Sequence, residues 1–211
     1  LYLISDTGKD MPRAMGADIV GTFIALVYLT PFIGGLIAHR YLGYIKSIFL
    51  GGSLMAAGYL LLALPDNIAM YIGLGCIIIG NGFFKPNIST LLGNMYNTEE
   101  LRPLKDNAYN IFYMGINIGA LVCNFAAAIL RNRIGWGAAF SAAGIGLIIG
   151  LIWLAFNLKH VKHYDVKKPM HAGDMPLSRI FGSVFLPMII FGIIGWVIPG
   201  NLMGSDSNDA F

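Results

Sequence analysis

The amino-acid sequence predicts an all-α polytopic membrane protein, and three observations carry that prediction. Apolar residues make up 56% of the chain and charged residues only 12%, about half the charge of an average soluble domain. The apolar residues fall into runs that approach or exceed the roughly 18 needed to cross a bilayer as a helix. All lysines and arginines except Lys85 lie at or beyond the ends of those runs. The net charge of +3 is therefore loop charge and points to no nucleic-acid partner.

Each element follows from local sequence. LYLIS at the start reads as the last turn of an apolar helix, and Ser5 to Arg13 as a polar loop with Asp6, Gly8, Lys9, Asp10 and Pro12. A first helix runs from about Met15 to Ala38 and ends at His39-Arg40. A tight turn through Gly43 leads to a second, about Tyr44 to Leu64, stopped by Pro65-Asp66-Asn67. The third spans Ile68 to Gly93. Asn94 to Asn107 is charged and contains Pro103, so it reads as a loop. Ala108 to Leu130 spans next, and Arg131-Asn132-Arg133 turns into a helix over about Gly137 to Asn157. Leu158 to Ser178, with four lysines and three histidines, reads as a linker. A last apolar run, Arg179 to Ile198, ends at Pro199-Gly200, and the closing DAF reads as the start of another helix. The expected domains are thus an incomplete transmembrane bundle (1–157), a cytoplasmic linker (158–178) and a further helix with the start of the next (179–211).

Charge sets the orientation. The loops at 39–46, 94–107 and 158–179 hold nine lysines and arginines, and the opposite loops hold four. The positive-inside rule places the first set in the cytoplasm. Gly73, Gly75, Gly80 and Gly82, and likewise Gly144, Gly146 and Gly150, read as contact points for close helix packing. Cys76 and Cys123 fall inside spans and read as small apolar residues.

Polar side chains deep in the spans carry the functional signal. Lys85, in GNGFFKPNIS, is the one formal charge well inside a helix. A lysine at that depth costs at least ~2.5–3.5 kcal/mol to insert, so it requires a wet cavity or a partner. Tyr28 and Asn117 lie at about the same depth, roughly 12–15 Å from the cytoplasmic ends of their helices. Three helices thus present Tyr, Lys and Asn near the midplane, where secondary transporters place substrate sites. No Asp or Glu lies in a span core, so the counter-charge of Lys85 comes from sequence outside this chain, from substrate, or from loss of its proton. Asn124 reads as a helix-packing residue. GNGFFK lacks the spacing of a phosphate loop.

At these residues the sequence resembles the proton-dependent oligopeptide transporters of the major facilitator superfamily. VYLTPFIGGLIAHRYLG is similar to their second helix and following loop, GNGFFKPNIS to their fourth-helix motif, and FYMGINIGAL to their fifth-helix signature, FYxxINxGxL. The resemblance implies the N-terminal bundle of that fold, from the end of helix one through helix six, with Arg179 to Ile198 as one helix of an inter-bundle hairpin. It implies symport of di- and tripeptides with protons as the coupling ion, in a bacterial cytoplasmic membrane, and no other cofactor. Tyr28 and Asn117 would contact peptide, and Lys85 would hold its carboxylate and couple to protons. The implied partners are short peptides, the lipid bilayer, and the first helix and C-terminal bundle of the same protein.

The sequence departs from the family at two positions. Gly21 stands where some animal members have a histidine. The loop motif reads Gly35-Leu-Ile-Ala-His39-Arg40 where the superfamily has Asp before Arg, so position 39 does not supply the usual carboxylate contact at the helix end. A relative carrying nitrate or another organic anion fits Lys85 equally. An enzyme does not fit: His39, His160, His163 and His171 lie at or beyond the cytoplasmic boundary, and His160-x-x-His163 alone reads as solvated rather than as a metal site. A non-transporting scaffold would not require a charged midplane.

Overall fold

A computed structural model describes residues 2–166 together with 176, 179, 182, 183, 186 and 190. The chain divides into two units, 1–168 and 169–211. In the second, six positions are described, and Ser183 Oγ donates to the Arg179 carbonyl at 2.7 Å. The expected hairpin helix therefore lies largely outside the described residues.

The first unit is helical. Helix α1 (Arg13–Ile37) runs on through a π-helical turn, Ala38–Leu42. Helices α2 (Tyr44–Leu62) and α3 (Asn67–Met95) follow. A 3-10 turn, Arg102–Leu104, leads into α4 (Lys105–Arg133), then α5 (Trp136–Phe156), a short α6 (Leu158–Val161) and a closing 3-10 turn, Lys162–Tyr164. Five of these, α1 with its π turn through α5, are long and apolar enough to cross a membrane. The chain is a multi-pass membrane protein.

Three expectations need correction. Of the N-terminal LYLIS, residues 2–5 do not form a helical turn. Residues 2–9 fold as successive turns, in which Gly8 N–H bonds the Ser5 carbonyl and Lys9 N–H the Tyr2 carbonyl. The loop expected through Asn107 is shorter, because α4 begins at Lys105. Asp106 sits in its first turn, where a carboxylate complements the positive helix end, so charge there extends the helix rather than stopping it. The third correction concerns the linker. Its first seven residues are helical because Leu158, Val161 and Tyr164 pack onto the apolar cluster of Ala38, Tyr44, Ile45, Ile48 and Leu91.

Helix ends are set by local chemistry. Gly43 adopts φ 86°, a backbone that side-chain-bearing residues rarely occupy, and so turns the chain sharply from the π turn into α2. Asp66 caps α3, its carboxylate accepting from Ala69 N–H at 2.8 Å.

Helices α2 and α3 pack antiparallel through glycine pairs. A Cβ at Gly51 would stand 2.5 Å from the Gly80 carbonyl oxygen, and one at Gly58 would stand 2.6 Å from that of Gly73. Such contacts bring backbones together where lipid offers no hydrophobic drive to association. The expected packing role thus holds for Gly73, Gly80, Gly82 and, against Ala56, Gly144; Gly75, Gly146 and Gly150 have nothing within 4 Å of an added Cβ. A second apolar cluster, Leu62, Met70 and Ile77 with Tyr2, Phe23 and Phe140, lies toward the other ends of the helices.

Candidate functional site

The site is built where α1 and α3 lie side by side, running in the same direction. Each helix carries a proline beside its candidate residue: Pro31 three positions after Tyr28, and Pro86 directly after Lys85. A proline has no N–H, so it leaves the carbonyl four residues earlier without its helical donor. Those carbonyls belong to Val27 and Gly82, and both are met from the opposite helix. Asn81 Nδ2 donates to the Val27 carbonyl at 3.0 Å. The Gly82 carbonyl lies against Gly34 so closely that a Cβ there would overlap it, leaving a Cα–H to face the freed oxygen. Thr30 Oγ1 adds a third tie, donating to the Ile78 carbonyl at 2.9 Å.

These ties fix the two candidates against each other. Lys85 Nζ lies 5.9 Å from the centroid of the Tyr28 ring, within the range of a cation–π contact. Both side chains are exposed, Tyr28 at 76%. An ammonium held over an aromatic face and open on its other side is free to pair with an incoming anion. Asp18, on the same helix as Tyr28, lies ten positions earlier, about 15 Å along the axis. It lines a separate hollow with Tyr71 and Gly75.

Asn117 is placed differently. It is exposed on α4, and its Nδ2 donates to the Tyr113 carbonyl one turn earlier in the same helix, at 2.9 Å. Helix α4 is tied to α3 nearer its own start, where Tyr109 Oη donates to the Ser89 carbonyl at 3.0 Å. The Tyr28–Lys85 contact forms without it. A cavity of about 900 Å³ between α2, α3, α4 and α5 is lined by Tyr59, Phe84, Cys123 and Trp153 among others, and by none of the three candidates.

The loop-motif residues gather where α1 runs out through its π turn into α2. His39 Nδ1 and Tyr44 Oη are 2.8 Å apart. Gly35 packs on Pro86, and a Cβ there would meet the ring at 3.5 Å. Arg40 lies in the π turn. A carboxylate meets the start of α2: Asp165 accepts from the Tyr44 N–H at 2.6 Å. The start of α2 has glycine as its N-cap and so lacks a side chain of its own for this. Among the described residues, no group of three or more His, Cys, Asp or Glu side chains is placed to hold a metal.

Sequence reasoning missed Asn81, Thr30, Asn87 and Asp165. Asn87 is 1% exposed, with Nδ2 bonded to the Phe83 carbonyl and Oδ1 unpartnered. A signal existed for Asn81, a polar residue one turn before Lys85 and opposite a proline-containing helix. None existed for Asp165, 121 positions from its partner.

The model of the POT family matches residues 45–180. The chain is 33% identical over 201 residues to a di-/tripeptide transporter of Lactococcus lactis subsp. lactis, covering 94% of this chain and 40% of that protein. It is 37% identical over 194 residues to dipeptide and tripeptide permease A of Klebsiella pneumoniae, covering 90% and 38%. Its fold matches the crystal structure of peptide transporter POT in complex with sulfate, with a TM-score of 0.75 at 26% identity over 95% of this chain and 42% of that one. The chain thus spans about 40% of the length of the curated relatives it matches.

Proposed function

The chain belongs to the POT family, and from that premise we propose that the protein carrying it is a proton-coupled symporter of di- and tripeptides in a bacterial cytoplasmic membrane. The single observation that supports this most directly is the placement of the Lys85 ammonium 5.9 Å from the Tyr28 ring centroid, exposed on the paired α1 and α3. A short zwitterionic peptide needs a fixed cation for its carboxylate and oriented polar groups for its backbone. Lys85 supplies the first. The Tyr28 face holds the amine in position while the site is empty. Asn117 supplies a hydrogen-bonding amide once it exchanges its bond to Tyr113 for one to substrate.

Coupling follows from the same lysine. A substrate carboxylate binds the ammonium form, so substrate and proton occupancy of Lys85 are linked through its differential affinity for the two states. In proteoliposomes under an imposed pH gradient, Lys85→Ala should abolish concentrative dipeptide uptake. Lys85→Arg should also fail to accumulate, because guanidinium keeps its proton at accessible pH. Full accumulation by Lys85→Ala would overturn the proposal.

A further inference from the structure

The segment that closes the described chain has a face the transport reading does not use. Residues 158–164 form one turn of α-helix followed by one of 3-10 helix, so side chains three apart fall roughly in line along the segment. Leu158, Val161 and Tyr164 make one such line and are packed on the apolar cluster at the cytoplasmic ends of α1, α2 and α3. The other two lines are Lys159 with Lys162 and His160 with His163, and all four of these side chains are exposed. Two further bonds hold the segment in this attitude. Asn94 Nδ2 donates to the Tyr164 carbonyl at 3.3 Å, and Asp165 accepts from Tyr44 N–H at 2.6 Å.

That second bond decides the charge of the face. Asp165 is the one carboxylate in residues 157–166, and its carboxylate is committed inward to the start of α2, leaving the lysines outside unopposed by it. Depth decides the partner. The apolar span Trp136–Phe156 ends at Phe156, so the residues that follow it pass from the hydrocarbon core into the headgroup region. Lys159 is three residues on, about 4.5 Å of helix rise.

We propose that the outward face of residues 158–164 is a docking surface for anionic lipid headgroups of the cytoplasmic leaflet, with Lys159 and Lys162 as its phosphate contacts. This inference uses the cytoplasmic orientation of the transport reading and none of its substrate chemistry. A lysine at a membrane surface strengthens attraction to anionic lipid about fivefold.

The protein carrying this chain is purified and titrated with phosphatidylglycerol or phosphatidylcholine, and bound lipid is read by native mass spectrometry. Wild type should retain phosphatidylglycerol in preference to phosphatidylcholine. The double change Lys159→Gln, Lys162→Gln should weaken phosphatidylglycerol binding about 25-fold, while Lys159→Arg, Lys162→Arg keeps it. Inorganic phosphate at matched ionic strength should not compete. Undiminished binding by the glutamine variant, equal retention of the two lipids, or displacement by free phosphate would each overturn the proposal. Because the measurement involves no transport, its failure leaves the peptide-symport reading standing, and failure of Lys85→Ala to affect uptake leaves this one standing.

Discussion

Helices α3 and α4 are both 29 residues long and glycine-bearing, yet nine residues of α3 are buried and one of α4. In α3, Gly73, Gly80 and Gly82 each stand against the backbone of a neighbouring helix, whereas in α4 an added Cβ at Gly115 or Gly119 would meet nothing within 4 Å. The polar residues divide the same way. Asn81 of α3 reaches across to the Val27 carbonyl, and Asn117 of α4 bonds its own helix. A small residue in a span permits close approach but does not bring it about. The facing backbone does, and where it also carries an unpaired carbonyl the contact becomes specific.

The largest expected effect tests the tight side of this contrast. Gly34→Ala places a methyl on the Gly82 carbonyl, and Gly80→Ala places one 2.6 Å from the Gly51 carbonyl. Overpacking of this kind costs about 1–3 kcal/mol. Each variant should show a lower unfolding midpoint in detergent, and Gly34→Ala should lose peptide binding as well, since it drives Tyr28 from Lys85. A wild-type midpoint in both would end the comparison.

Next in size is Asn81→Leu, which leaves the Val27 carbonyl without its donor. Interhelical hydrogen bonds in membranes contribute about 0.6–1.7 kcal/mol, so a modest drop in the midpoint is expected. Asn117→Leu should leave the midpoint unchanged while lowering dipeptide uptake. Equal midpoints for the two variants would erase the distinction between a structural and a free asparagine.

Asp165→Ala removes a capping contact of the kind whose loss costs about 0.5–2 kcal/mol. Its effect should be local, seen as faster amide hydrogen exchange in residues 158–164 and at the start of α2, with α4 unaffected. The smallest effect belongs to Gly115→Ala and Gly119→Ala. With open space around them, these changes should be neutral or raise stability by up to about 1 kcal/mol through better helix propensity.

The five spans were legible in the sequence because apolar run length is a property of each segment alone. Their ends were less so. Asp106 and Lys105 read as loop by charge, yet helix α4 begins at Lys105 because a helix leaving the membrane meets water that solvates such residues. Tyr28, Lys85 and Asn117 could be named together from depth and from the family motifs, though the structure brings only the first two into contact. What held them could not, since the role of Asn81 depends on which carbonyl Pro31 frees and on the register of two helices 54 positions apart. The departure at His39 was visible, but the contact of Asp165 with the start of α2 was not. The carboxylate that meets the start of α2 comes from the far end of the unit, in a stretch that charge alone marked as linker.

The two prolines have a mechanical consequence. Each breaks the internal ladder of its own helix at the depth of the site, which on an isolated helix would create a flexible joint. Here each break is spliced to the neighbouring strut, so the weak point of one rod is clamped by the other. The helix segments that carry Tyr28 and Lys85 are thereby held in one register. Any rearrangement that opens the site to one side of the membrane would have to swing α1 and α3 together, with the motion taken up where α4 meets them through little more than Tyr109.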